Sequence, residues 1–170
     1  MGTAQAVLLL FISISLVKGF LVGHRHQLRV PTSSQRTEGA KTTTYMSSTD
    51  IDESSLGLTP RLFEVSRAFQ LMDERTRVQN LLALASSMKP MKDFRKLPEN
   101  KVPGCLSTVY VHAFMQDGKV YFEGDSDAQL TKGLVALLIE GMSGCSAEEI
   151  QAVKPEFIKY AGIAASLTPG

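Results

Sequence analysis

Thr108-Val109-Tyr110-Val111-His112-Ala113-Phe114-Met115, then Gln116-Asp117-Gly118-Lys119, then Val120-Tyr121-Phe122-Glu123, is the stretch on which the fold turns. β-Branched and aromatic residues dominate both flanks, and the central Asp-Gly pair suits a tight hairpin turn whose middle residues take positive φ. The spacing predicts an antiparallel hairpin. Just downstream, Ser126-Asp127-Ala128-Gln129 has the serine-to-glutamine spacing of a capping box and opens a predicted helix over 127–140. In it Leu130, Leu134, Leu137 and Leu138 are joined by Val135 and Ile139. Apolar residues on nearly every side place this helix centrally. Gly133 in its interior costs about 1 kcal/mol relative to alanine, so a close approach of another backbone is expected there.

Upstream, Leu58-Thr59-Pro60 reads as a helix start, with Thr59 as N-cap and Pro60 where its missing N–H costs nothing. Leu62, Val65, Phe69 and Met72 then mark one buried face. A second helix begins near Asp73, buries Val78, Leu81, Leu82, Ala85 and Met88, and stops before Pro90. Residues 89–104, broken by Pro90, Pro98 and Pro103, read as a loop leading into Cys105. Beyond the central helix, Ser146 with Glu149 repeats the capping-box pattern, and 155–165 reads as a last helix. The class is α+β, a small antiparallel β-sheet with helices packed on one face.

The chain of 170 residues has room for one ordinary domain. Its two cysteines exclude a disulfide-dense scaffold and a four-cysteine metal site. With a net charge of +1 and no Lys/Arg-rich block, it lacks the footprint of a nucleic-acid binder. The average hides an uneven distribution. Residues 6–17 form an uncharged apolar run, too short for a bilayer-spanning helix of about 20 residues but of signal-peptide length. Val17-Lys18-Gly19 predicts cleavage before Phe20, making 1–19 a signal peptide. Residues 20–49 carry Arg25, Arg29, Arg36 and Lys41 against Glu38, with ten Ser/Thr between Thr32 and Thr49. That basic, hydroxyl-rich, acid-poor composition is transit-peptide-like and disordered. Residues 50–58 read as a linker and 59–170 as the folded domain. From residue 50 onward there are 13 Lys/Arg against 16 Asp/Glu, a net of −3.

Cys105 stands out among chemistry-bearing residues because it follows Pro103-Gly104 and precedes a strand, a loop tip on a rigid scaffold. From the residues alone it reads equally as an exposed nucleophilic thiol or as a small buried apolar side chain. Cys145 reads as structural, and a bridge to Cys105 would need their Cα atoms within about 7 Å. His112 reads as a sheet-face residue. Asp125 and Asp127 read as helix-start acids favoured by the macrodipole. Lys132-Gly133 has no glycine-rich phosphate loop before it.

Two motifs and a C-terminal stretch then resemble a known family. Val102-Pro103-Gly104-Cys105-Leu106-Ser107-Thr108-Val109-Tyr110, Glu123-Gly124-Asp125-Ser126-Asp127-Ala128 running into Thr131-Lys132-Gly133-Leu134, and Ser166-Leu167-Thr168-Pro169 are similar to SufE, the sulfur acceptor of the Suf iron-sulfur cluster system. The resemblance covers about two thirds of the chain and implies a SufE/IscU-like fold with Cys105 as the persulfide-carrying cysteine. It further implies a SufS-like cysteine desulfurase as sulfur donor and stimulated partner, and the SufBCD scaffold complex as recipient. Pyridoxal phosphate belongs to the desulfurase; no cofactor or metal is implied for this chain, nor a nucleic-acid partner, nor a membrane after leader removal. Asp127, with Asp125, Gly104 and Ser107 beside it, matches the region that contacts the desulfurase. Family domains continue after Leu-Thr-Pro into an Arg-rich segment and a terminal helix, so the domain is expected to be truncated at its C-terminus.

The leader, joined at Gly19-Phe20-Leu21, resembles the bipartite leader of plastids lying inside extra membranes, which implies the plastid stroma. The alternative is secretion. The alternative functions are a non-catalytic binding module of the same fold and an IscU-type cluster scaffold, which needs about three cysteine ligands where the domain has two.

Overall fold

A computed structural model describes residues 53–105 and 107–166. The leader segments 1–19 and 20–49, the start of the 50–58 linker, Leu106, and Leu167-Thr168-Pro169 lie outside the described residues. In chain order the elements are α1 (Pro60–Gln70), α2 (Glu74–Ser87), β1 (Val109–Gln116), β2 (Lys119–Ser126), α3 (Gln129–Met142), α4 (Ala147–Ala152), α5 (Phe157–Tyr160) and α6 (Ile163–Ser166). Short 3-10 turns occupy Glu53–Leu56, Asp93–Arg95 and Pro98–Asn100.

The hairpin forms as its sequence predicts. β1 and β2 pair antiparallel from Val109↔Ser126 to Gln116↔Lys119. Asp117 and Gly118 sit at φ 51° and 74°, the positive values that the tight turn requires. One face of this two-stranded sheet meets the helices: Val109, Val120 and Phe122 are buried, and Val111 and Ala113 pack against the same core. A two-stranded hairpin is marginal on its own, so this apolar face stabilises it only because α3 covers it.

α3 is the central element, as its all-round apolar pattern predicts; Leu134, Val135, Leu137, Leu138 and Met142 are buried, and α3 packs against α1, α2 and β2. Full burial of each such side chain is worth roughly 1.5–3 kcal/mol. At Gly133 the expected close approach is present, since a Cβ there would stand 2.1 Å from the Leu81 carbonyl oxygen of α2. α1 starts as predicted: the Thr59 hydroxyl accepts from the Leu62 amide at 3.1 Å and donates to the Gly141 carbonyl at 2.5 Å, tying α1 to the end of α3. Asp73 caps α2 through the Thr76 amide at 2.7 Å.

Three expectations need correction. β2 runs on through Gly124, Asp125 and Ser126 instead of ending at Glu123, because these residues pair with Val111, Tyr110 and Val109. The Ser126–Gln129 capping box therefore does not form; Ala128 is the N-cap of α3, without a side-chain bond. The predicted helix over 155–165 is two short turns, α5 and α6, separated at Gly162, whose φ is 69° and whose carbonyl accepts from Arg77 at 3.2 Å. The capping box at Ser146 and Glu149 does form, in both directions.

The outer face of the hairpin carries Tyr110, His112 and Phe114 opposite Asp125, Glu123 and Tyr121. Residues 92–101 lie across it as a strap. Arg95 pairs with Glu123 at 2.8 Å and Lys96 with Asp125 at 2.8 Å. The Arg95 guanidinium lies 5.5 Å from the Phe114 ring centroid, Asn100 meets His112 at 3.4 Å, and Lys101 bridges to Tyr110. The proline-broken loop is thus the second layer of the sheet.

Candidate functional site

The strap delivers the chain to Cys105. Val102 is buried and donates its amide to the Val109 carbonyl at 2.9 Å, which closes residues 103–108 into a tip. Pro103-Gly104, with Gly104 at φ 75°, suits the two central positions of a type II turn, where the second residue needs positive φ. The other end of the tip is tied twice. The Thr108 amide donates to Asp127 Oδ1 at 2.9 Å, and the Asp127 amide donates back to the Thr108 carbonyl at 3.2 Å. The Ser107 hydroxyl donates to Thr131 Oγ1 on α3 at 3.4 Å.

Within this tip Cys105 is half-buried and packs against the core cluster. Burial pushes its thiol above the ordinary range, so the resting group is protonated at neutral pH. Cys145, bridged to Val120 at the hairpin's edge, is also half-buried. Burial, then the Glu149 charge, push its thiol up against a lowering hydrogen bond with Thr59. Both cysteines are free, so the bridge between them is not formed.

The two acids beside the tip have separate tasks, and neither caps a helix. Asp125 is 9% exposed within β2, held by Lys96 Nζ at 2.8 Å and Lys132 Nζ at 3.0 Å. Its own burial would raise its carboxyl, but the hydrogen bonds from Lys96 and Lys132 outweigh that and hold it below the usual carboxylate range. Asp127 is exposed and occupied by Thr108. Gly104 is exposed, and Ser107 is half-buried. His112 lies on the sheet face as expected, stacked on Phe114 at 6.2 Å between centroids.

Sequence reasoning missed Arg95, Lys96 and Thr131 as parts of this arrangement. Their partners lie 24 to 29 residues away, across a hairpin whose second strand runs past the end that its local pattern predicts. Among the described residues no group of three or more His, Cys, Asp or Glu is placed to hold a metal ion, and no helix is long and apolar enough to cross a membrane. A cavity of about 440 Å³ lies between the end of α2, the start of the strap and α3, and Cys105 does not line it.

A family model described as "SufE: Fe-S metabolism associated domain" matches residues 64–170, from α1 through the thiol-bearing tip and beyond. The chain belongs to the SufE family. A SufE-like protein of Synechocystis is 46% identical over 113 residues, covering 66% of this chain and 71% of that protein. SufE-like protein 1, chloroplastic/mitochondrial, of Arabidopsis thaliana is 40% identical over 66% of this chain and 31% of its own length. The cysteine desulfuration protein SufE of Plasmodium vivax is 40% identical over 65% of this chain and 46% of its own length. This SufE-family chain thus spans less than half of the last two relatives. Among solved structures, the solution structure of a hypothetical protein from Thermus thermophilus matches with a TM-score of 0.58 and 29% identity, covering 66% of this chain and 82% of that one.

Proposed function

We propose that this protein accepts sulfane sulfur from a cysteine desulfurase as a persulfide on Cys105 and passes it to a SufBCD-type scaffold for iron-sulfur cluster assembly. The observation that carries the reading is the half-shielded thiol of Cys105 at the tip of a loop tethered by Asp127 and Thr131. Thiol exchange requires no resident base. The Cys105 thiolate attacks the terminal sulfur of the donor's Cys–S–SH. A new S–S bond forms, the donor's S–S bond breaks, and the donor leaves as a thiolate. Removing the donor's product in this way raises its turnover. Pyridoxal phosphate does its work in the donor. The name of the Plasmodium vivax relative, a cysteine desulfuration protein, supports this role.

Gly104 lets the tip swing the thiol from its shielded position to an extended one within the partner, and unchanged transfer in Gly104→Val would count against that swing. Gly104, Ser107, Asp125 and Asp127 border the contact area. A plastid stromal location is supported by Arabidopsis relatives named chloroplastic/mitochondrial and chloroplastic and by the transit-like composition of 20–49.

The test mixes the protein with a cysteine desulfurase, cysteine and reductant, and measures sulfide release and protein-bound sulfane sulfur. Cys105→Ser is expected to lose both stimulation and bound sulfur, while Cys145→Ser keeps them. A Cys105→Ser protein that carries sulfur as well as the parent would refute the assignment. The half-burial of Cys105 favours one competing reading, a binding module with an inert thiol. Under that reading the folded parent stimulates the desulfurase without acquiring sulfur.

A further inference from the structure

The strap carries more than the thiol. Phe94 is 65% exposed and Leu97 42% exposed, an unusual placement for two large apolar side chains on so short a segment. Two cations lie over the Phe94 ring, with Lys92 Nζ 5.9 Å and the Arg95 guanidinium 5.5 Å from its centroid. Arg95 in turn rests on Phe114 and pairs with Glu123, so the ring stands outermost on a fixed stack. The charge is polarised as well. Residues 89–105 hold five Lys/Arg against two Asp/Glu, while the rest of 50–170 holds eight against fourteen. Arg95 and Lys96 are spent on Glu123 and Asp125. Lys89, Lys92 and Lys101 are exposed, and no ion pair among the described residues engages them.

We propose that residues 92–97, with Lys89 and Lys101 beside them, are the docking surface for the sulfur-donating protein, whose matching face is acidic around an apolar socket for Phe94. This rests on the sulfur-transfer reading of Cys105. A pre-ordered aromatic rimmed by charge has the make-up of an interface anchor, and free lysines in an otherwise acidic domain orient an acidic partner. A nucleic acid fits less well, since three free cations and one ring are too few to track a phosphate backbone. The same strap runs on into the tip that carries Cys105, so a partner seated on it is held by the segment that delivers the thiol.

The experiment compares two sulfur sources for Cys105, a cysteine desulfurase with cysteine and the small-molecule donor glutathione persulfide. Phe94→Ala and Lys92→Glu should each raise the concentration of this protein that half-saturates desulfurase stimulation by about tenfold, and leave transfer from glutathione persulfide unchanged. Added salt should weaken the parent's half-saturation and weaken that of Lys92→Glu less. Unchanged half-saturation in both variants, with the parent active, overturns the docking surface alone. Equal slowing with both donors overturns it too, because the strap would then act on the thiol. A parent that takes sulfur from neither donor defeats the sulfur-transfer reading itself.

Discussion

Lys96 Nζ stands 2.8 Å from Asp125 Oδ2 and joins the strap that carries Cys105 to the strand behind it. Lys132 of α3 holds the other carboxylate oxygen at 3.0 Å, so one nearly buried acid links the strap, the sheet and the central helix. Removing that acid leaves two lysines facing each other with no anion between them. Asp125→Ala should lower the unfolding free energy by about 3 kcal/mol, measured by urea titration, and speed alkylation of Cys105 in the folded protein. Because the folded carboxyl lies below its usual range, its stabilisation is present above the unfolded value of about 4 and is lost as pH falls through the folded one. Asp125→Asn should flatten that acid limb of the stability profile. A variant as stable as the parent from pH 7 down to about 3 would show that the linkage does not hold the fold.

Asp127 anchors the far side of the thiol tip, and a pair of substitutions separates that role from partner contact. Asp127→Ala removes the acceptor of the Thr108 amide, a loss of about 1 kcal/mol, and should accelerate Cys105 alkylation. Asp127→Asn keeps an acceptor oxygen and should alkylate like the parent. If Asn also raises the half-saturating concentration for the desulfurase, the carboxylate charge meets the partner; if Asn speeds alkylation as Ala does, the Thr108 bond is not what anchors the tip.

Local pattern carried the hairpin, the first two helices and the Thr59 cap into the sequence reading, because turn chemistry and cap bonds are made between residues a few positions apart. It failed where a distant partner decides. Ser126–Gln129 and Ser146–Glu149 look alike, yet only the second caps a helix, since Ser126 is taken into the ladder by Val109. The run over 155–165 looked continuous, but the chain turns at Gly162 beside Arg77, 85 residues away. Cys105 stands out in the sequence by its place after Pro103-Gly104, where the residues alone leave it open between an exposed nucleophile and a buried apolar side chain. Its setting was not legible, because Lys96, Asp125 and Lys132 meet only after the hairpin has formed.

Gly133→Ala tests the crossing of α2 and α3. Alanine would gain about 1 kcal/mol in helix propensity, but its Cβ would fall 2.1 Å from the Leu81 carbonyl oxygen, on backbone that cannot swing aside. Overpacking wins, and a net loss of about 2 kcal/mol is expected. A melting temperature equal to the parent's would mean that the two helices separate at no cost.

The pH dependence of Cys105 tests how the thiol is stored. In a Cys145→Ser background, so that one thiol reports, alkylation of the folded protein at pH 7 should be slower than that of free cysteine. It should keep rising beyond about pH 8.5, where an ordinary thiol is half ionised, because burial holds the proton on. Unfolding in urea should restore the ordinary profile. The linkage has the matching sign: a raised folded value contributes stability present below the unfolded thiol's pKa and lost as pH rises through the folded one. A folded midpoint at or below the ordinary value would mean that burial does not govern the thiol. If the raised value is found, the resting protein is shielded against oxidants as well as alkylators, and the attacking thiolate forms only when the tip leaves its half-buried position. Desulfurase-driven transfer should then depend on pH less steeply than alkylation does, since docking supplies the extended tip that the free protein holds back.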